Sequence, residues 1–117
     1  MKLGYSEEIA KDGTYRNVSY TVRKVSAPFI VDHKEYYCAY IESRKDFSEK
    51  EIESFPYSIT YNEPYKDTWT KSRLTGQKCI GWDYFEYRGI SLEEVLKNVR
   101  KVINYLARTY EEYSKGK

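Results

Sequence analysis

Histidine is nearly missing from this chain, with one copy, His33, in 117 residues. Methionine occurs once, cysteine twice, proline three times and glycine six times. A nucleophile–histidine–acid arrangement needs a base held in place by a third group. His33 sits in the charged stretch Asp32–His33–Lys34, which reads as an exposed turn, so no such arrangement is expected. Zinc sites use closely spaced Cys and His ligands, and Cys38 and Cys79 fall in different predicted strands. They read as buried small hydrophobes in a reducing compartment, able to approach each other only if their strands are neighbours. Thr75–Gly76–Gln77–Lys78 is too little to form a glycine-rich phosphate loop. Neither a metal nor a cofactor is expected.

Long apolar runs are absent as well, and the acidic residues after Tyr5 leave no signal-peptide core. These features predict a cytoplasmic protein with no membrane partner. Charge of one sign is also lacking: 20 basic against 18 acidic side chains give a net +2, far from the lopsided balance of a dedicated DNA binder. The length fits one domain, residues 1–117.

Tyrosine is abundant, at 14 residues in a chain that is 17% aromatic. Tyr favours strands and is frequent at interfaces. Plentiful Lys, Glu, Ile and Tyr with a single Met fit a thermophile's usage.

The clearest pattern runs from Ser91 to about Tyr113. Leu92, Val95, Leu96, Val99, Val102, Ile103, Leu106, Tyr110 and Tyr113 recur at steps of three and four, one apolar stripe on a long helix. Ser91 and Glu94 have capping-box spacing. The cap contributes roughly 1 kcal/mol, against ~1.5–3 kcal/mol for each apolar side chain fully buried, so the helix must lie on a sheet. Ser6–Lys11 reads as one helical turn closed by Asp12–Gly13, and Thr14–Val25 as a strand with Val18, Tyr20 and Val22 on one face. Tyr36–Glu42 is apolar on both parities, as expected of a central strand covered on both sides. Ser48 and Glu51 open a short acidic helix ending before Pro56. Tyr57–Tyr61 reads as a third strand and Lys78–Phe85 as a fourth, with Ile80, Trp82 and Tyr84 toward the helix; the alternative puts Gly81 there to allow close approach. The expected fold is α+β: an antiparallel four-stranded sheet, a long C-terminal helix packed on one face, and a short helix between strands 2 and 3.

The blocks YYCAYI, SITY, IGWDYFEY and SLEEV resemble a group of small uncharacterised proteins common in phages and prophages. The pattern of that group runs Cys/Gly-Tyr-Val, His-Gly-Gly-Leu/Ile-Thr-Tyr, Gly-Phe/Trp-Asp-x-x-His, then a Thr-x-Glu-x-Val helix. Ile59–Thr60–Tyr61 and Gly81–Trp82–Asp83 match, while Pro56–Tyr57–Ser58 and Glu86 stand where that pattern carries its histidines. The resemblance implies a similar fold and an origin in a virus or mobile element; it implies no activity.

Asn62–Gln77 is 16 residues with no period, and long irregular connections are often functional. It carries Tyr65 and Trp69 among Lys66, Lys71 and Arg73, following Tyr61. Such residues anchor protein interfaces and also stack on single-stranded bases; a third reading folds the loop back as a lid over the sheet. Glu63 and Asp67 dilute its positive charge and favour a protein partner. Asp83 and Glu86 form a possible polar site, although in an extended strand they point to opposite faces. The leading expectation is a non-enzymatic accessory protein that binds a host protein through Tyr61, Tyr65, Trp69, Lys71 and Arg73, with interference in a host defence or regulatory factor as one form. The alternatives are a single-stranded nucleic-acid or nucleotide binder and, third, a small hydrolase at Asp83 and Glu86. Exposed sheet edges also allow a homodimer.

Overall fold

The computed structural model describes residues 6–26, 35–66, 69–87 and 89–114. Pro28, the Asp32–His33–Lys34 turn, Asp67 and Arg88 lie outside the described residues. The strands are β1 (Ser6–Tyr15), β2 (Val18–Ser26), β3 (Tyr36–Glu42), β4 (Tyr61–Pro64) and β5 (Lys78–Asp83); the helices are α1 (Glu49–Glu53), α2 (Leu92–Thr109) and α3 (Glu111–Ser114). The order across the antiparallel sheet is β1-β2-β3-β5-β4.

The sheet therefore has five strands, not four, and the short helix falls between strands 3 and 4, not 2 and 3. The cause is a hairpin at Arg16 and Asn17, whose φ values of 51° and 66° place both in the left-handed region. Two such residues make the turn whose twist suits a two-residue β-hairpin. It joins Tyr15 to Val18 and makes Ser6–Tyr15 an edge strand instead of a helical turn. Gly13 does not close anything. It lies opposite Tyr20, where a Cβ would stand 3.2 Å from the tyrosine hydroxyl oxygen.

On one face lies α2, against β1, β2 and β3. Val18, Tyr20, Val22, Ala39, Ile41, Ile80, Trp82 and Tyr84 meet Val95, Val99, Val102, Ile103 and Leu106 in one core, so β5 turns Ile80, Trp82 and Tyr84 toward the helix. Ser91 Oγ caps α2 by accepting the Glu94 N–H at 3.1 Å. The helix stops at Thr109, because Tyr110 is extended (φ −124°, ψ 130°), and α3 folds back. There the Tyr113 hydroxyl donates to the Glu42 carbonyl (2.8 Å) and accepts the Arg44 N–H (2.9 Å). The Ser48–Glu51 capping box forms as expected at α1. The strand expected at Tyr57–Tyr61 begins only at its last residue, because Tyr57 and Ile59 pack on the α2 core and the Tyr57 hydroxyl donates to Asn98 Oδ1. The strand expected to reach Phe85 ends at Asp83, whose Oδ1 accepts the Phe85 N–H at 3.0 Å.

Candidate partner-binding site

The second face of the sheet is covered too, by the connection from β4 to β5. Its described residues, 65–66 and 69–77, are joined at their ends: Tyr65 N–H donates to Gln77 O (2.9 Å), Gly76 N–H donates to Tyr65 O (3.0 Å), and Gly76 takes φ +79° where the chain turns back. Ser72 and Thr75 hold the tip through hydrogen bonds to the Leu74 and Ser72 N–H groups. A compact loop with neighbouring ends and no periodic pattern is an Ω-loop in kind. Two acidic side chains of β1 tie it down: Glu7 Oε1 accepts the Thr70 N–H at 3.1 Å, and Asp12 Oδ2 accepts the Arg73 N–H at 3.1 Å.

Beneath the loop, Val25, Cys38, Tyr40, Tyr65, Leu74 and Cys79 form a second core. Tyr40 is its hub, meeting Tyr61 and Tyr65 edge-on at centroid distances of 5.5 and 5.2 Å and Trp69 at 5.5 Å. Its ring lies across Gly81, where a Cβ would stand 2.6 Å from both Tyr40 Cδ1 and the Ala39 carbonyl oxygen. Glycine is required there by this close approach. Tyr40 and Tyr61 both pair with Gly81.

Arg23 latches the loop to the sheet. Only 5% exposed, it donates to Glu7 Oε1 at 3.0 Å and to the Tyr40 hydroxyl at 3.1 Å, and its guanidinium lies 3.9 Å from the Trp69 ring centroid. Burial works against its charge, but Tyr40, Cys38 and Glu7 outweigh that and raise its pKa above the ordinary value. Burial likewise pushes the Tyr40 hydroxyl well up, so it stays neutral. Because Glu7 also accepts from Thr70, one carboxylate joins the buried cation to the loop backbone.

The covering is incomplete. An open groove of about 370 Å³ remains, with Arg23, Cys38 and Tyr40 on its floor and Tyr36, Tyr61, Trp69, Asp83 and Phe85 around it. That volume is within the usual range for ligand pockets, ~300–1,000 Å³. Phe85 is 42% exposed and Tyr87, two residues on, is 69% exposed. Tyr36 and Phe85 meet edge-on at 5.2 Å.

The expected site residues separate into three groups. Tyr61 and Trp69 are half-buried and border the groove. Tyr65 is only 1% exposed, so it holds the loop and offers no contact surface: its ring packs on Tyr40 and its hydroxyl donates to Thr70 O. Burial lifts its pKa to about 12. Lys71 and Arg73 are exposed on the loop and do not line the groove. Asp83 lines it, with its carboxylate turned to the Phe85 amide; Glu86 is exposed and outside it. Among the described residues no cluster of His, Cys, Asp and Glu is grouped to hold a metal ion, and no helix is long and apolar enough to cross a membrane.

Cys38 and Cys79 are both free and buried. Their strands are neighbours, but Cys38 pairs with Asp83 and Cys79 with Glu42. Four residues of offset at ~3.3 Å each leave them about 13 Å apart, beyond disulfide reach. Burial, opposed by the Arg23 charge, still raises the Cys38 thiol pKa. Sequence reasoning missed Arg23, Tyr36, Cys38, Tyr40 and Phe85 as members of this site. The usable signal was the two-sided apolar character of Tyr36–Glu42, which requires a cover on each face. No protein-family model, no curated protein and no solved structure matches the chain.

Proposed function

We propose that this chain is a small, non-enzymatic binding protein that engages another protein through the groove bordered by Tyr36, Tyr61, Trp69 and Phe85. The observation that carries the reading is the half-open aromatic border around a buried arginine. Aromatic residues in partly enclosed settings dominate interface energetics, and here Tyr36 and Tyr61 are held on strands and Trp69 in a hydrogen-bonded loop, so little ordering cost falls on association. A groove of about 370 Å³ accepts one or two side chains of a partner. The resemblance to phage and prophage proteins supports a virus or mobile-element origin, with a host defence or regulatory factor as the partner class. Affinity capture from lysate of the cell that carries the gene tests this. Phe85→Ala plus Trp69→Ala, verified as folded by circular dichroism, loses the partner that wild type retains; recovery of the same partner by both removes the surface from consideration.

A second reading, binding of single-stranded nucleic acid or a nucleotide, is favoured by Lys66, 5.8 Å from the Trp69 ring centroid, and by Lys71 and Arg73 exposed on the same loop. It requires affinity that falls steeply with salt. Oligonucleotide binding that is absent at micromolar protein, or insensitive to salt, eliminates it.

A further inference from the structure

A second concavity, of about 430 Å³, runs between α1 and β4. Thr60, Tyr61, Asn62 and Glu63 all line it. Side chains of a strand alternate between faces, so four consecutive lining residues mean that the cavity follows the strand's edge. Among the described residues that edge is unpaired, because β4 is terminal in the sheet and pairs only with β5. Phe47, Ile52 and Ile59 give the cavity an apolar floor, and Glu49, Glu53 and Glu63 put three carboxylates in a lining that, among the described residues, holds no Lys or Arg. Lys45 pairs with Glu51 and Lys78 with Asp46, while the exposed Lys50 of α1 lies outside the lining. Asn62 Oδ1 is buried without a hydrogen-bond donor.

We infer that β4 is a docking edge for an extended, basic segment of a partner protein, which adds as a sixth strand. An open edge supplies main-chain hydrogen bonds, and alternating side chains read the pockets beside it. One parity of the incoming strand sets apolar side chains over Phe47, Ile52 and Ile59, and Lys or Arg residues meet Glu49, Glu53 and Glu63. A second copy of this chain is the wrong occupant, since symmetric pairing at β4 brings like-charged rims together, and like-charge juxtaposition opposes association. Pro64 has no N–H to donate and Glu63 sets a charge on the edge, both known guards against indiscriminate edge pairing. The three carboxylates of Glu49, Glu53 and Glu63 are what select a basic partner. The aromatic groove on the second face shares only Thr60 and Tyr61 with this one, so the two sites stand or fall separately.

The test uses a short blocked peptide that alternates lysine with valine, a charge-reversed peptide that alternates glutamate with valine, and the lysine peptide N-methylated at alternate residues. Fluorescence anisotropy on the full chain should show binding of the first alone. Glu49→Gln, Glu53→Gln and Glu63→Gln together should weaken it about tenfold or more, in line with charge complementarity at a docking surface. Phe85→Ala plus Trp69→Ala should leave the affinity unchanged. No binding of the lysine peptide, equal binding of the N-methylated or glutamate peptide, or full affinity in the triple glutamine variant each overturns the inference. Failure here leaves the aromatic-groove reading intact, and failure of that reading leaves this one intact.

Discussion

Replacing Arg23 with methionine removes the charge while keeping much of the apolar stem. In the native fold Arg23 is 5% exposed and its ion-pair partner Glu7 has a side chain 14% exposed, so solvent screens the pair little. Breaking a buried pair by deleting one partner costs about 3–5 kcal/mol. The lower end applies, because Glu7 keeps its bond to the Thr70 amide. Loss of the guanidinium from the Trp69 face, at 3.9 Å, adds roughly 1 kcal/mol. The sum is about 4 kcal/mol, or a melting temperature lowered by about 15 °C for a domain of this size. Urea and thermal unfolding followed by circular dichroism read the change, and Trp69 emission should redden as the loop loosens. Adding Glu7→Gln to Arg23→Met removes the stranded carboxylate and should restore at least ~1 kcal/mol. A loss below about 1 kcal/mol for Arg23→Met, or a double variant no more stable than the single, refutes the latch.

Three further outcomes follow from the packing. Gly81→Ala forces a Cβ to within 2.6 Å of the Ala39 carbonyl and the Tyr40 ring and should destabilise by about 1–3 kcal/mol in the same unfolding assay, with disturbed near-ultraviolet aromatic signals. Tyr113→Phe strands the Glu42 carbonyl and the Arg44 amide and should cost about 1–2 kcal/mol, with faster hydrogen exchange at Arg44. Burial raises Cys79 from 9.0 to about 12, and it is the main cause lifting Tyr65 and Tyr113 from 10.0 to about 12. Between the ordinary and the raised values the unfolded chain sheds protons that the native one keeps, so stability should hold up to about pH 9 and fall progressively toward pH 12. Denaturation midpoints measured across that window check the sign, and a midpoint that rises with pH there contradicts it.

What could be read from the chain was what is periodic or locally capped. The stripe that begins at Leu92 and the Ser48–Glu51 box depend on spacing alone, and both helices begin where spacing put them, although the long one, expected to run to about Tyr113, ends at Thr109. The first hairpin was hidden because its turn uses Arg16 in a left-handed conformation, which non-glycine residues seldom adopt outside Asn and Asp. Once that turn was missed, Ser6–Tyr15 could not be recognised as an edge strand, and the strand count fell one short. The second face was hidden for a different reason. Thr21 and Arg23 alternate with Tyr20 and Val22 as a solvent-facing parity would, yet both are buried, because Asp12 accepts from Thr21 and Glu7 from Arg23. Buried polar groups whose partners sit on a neighbouring strand leave no signature in their own segment. The loop of residues 65–77 resists reading likewise, since side chain-to-backbone bonds from β1 shape it.

Amide hydrogen exchange on the protein alone and bound to the partner recovered by affinity capture tests the binding surface most directly. Slowed exchange at residues 36–40, 60–62 and 83–87, around the groove, is the expected result. Slowed exchange confined to the outer face of α2, around Lys97, Arg100, Lys101 and Arg108, with the groove unaffected, contradicts the account at its centre.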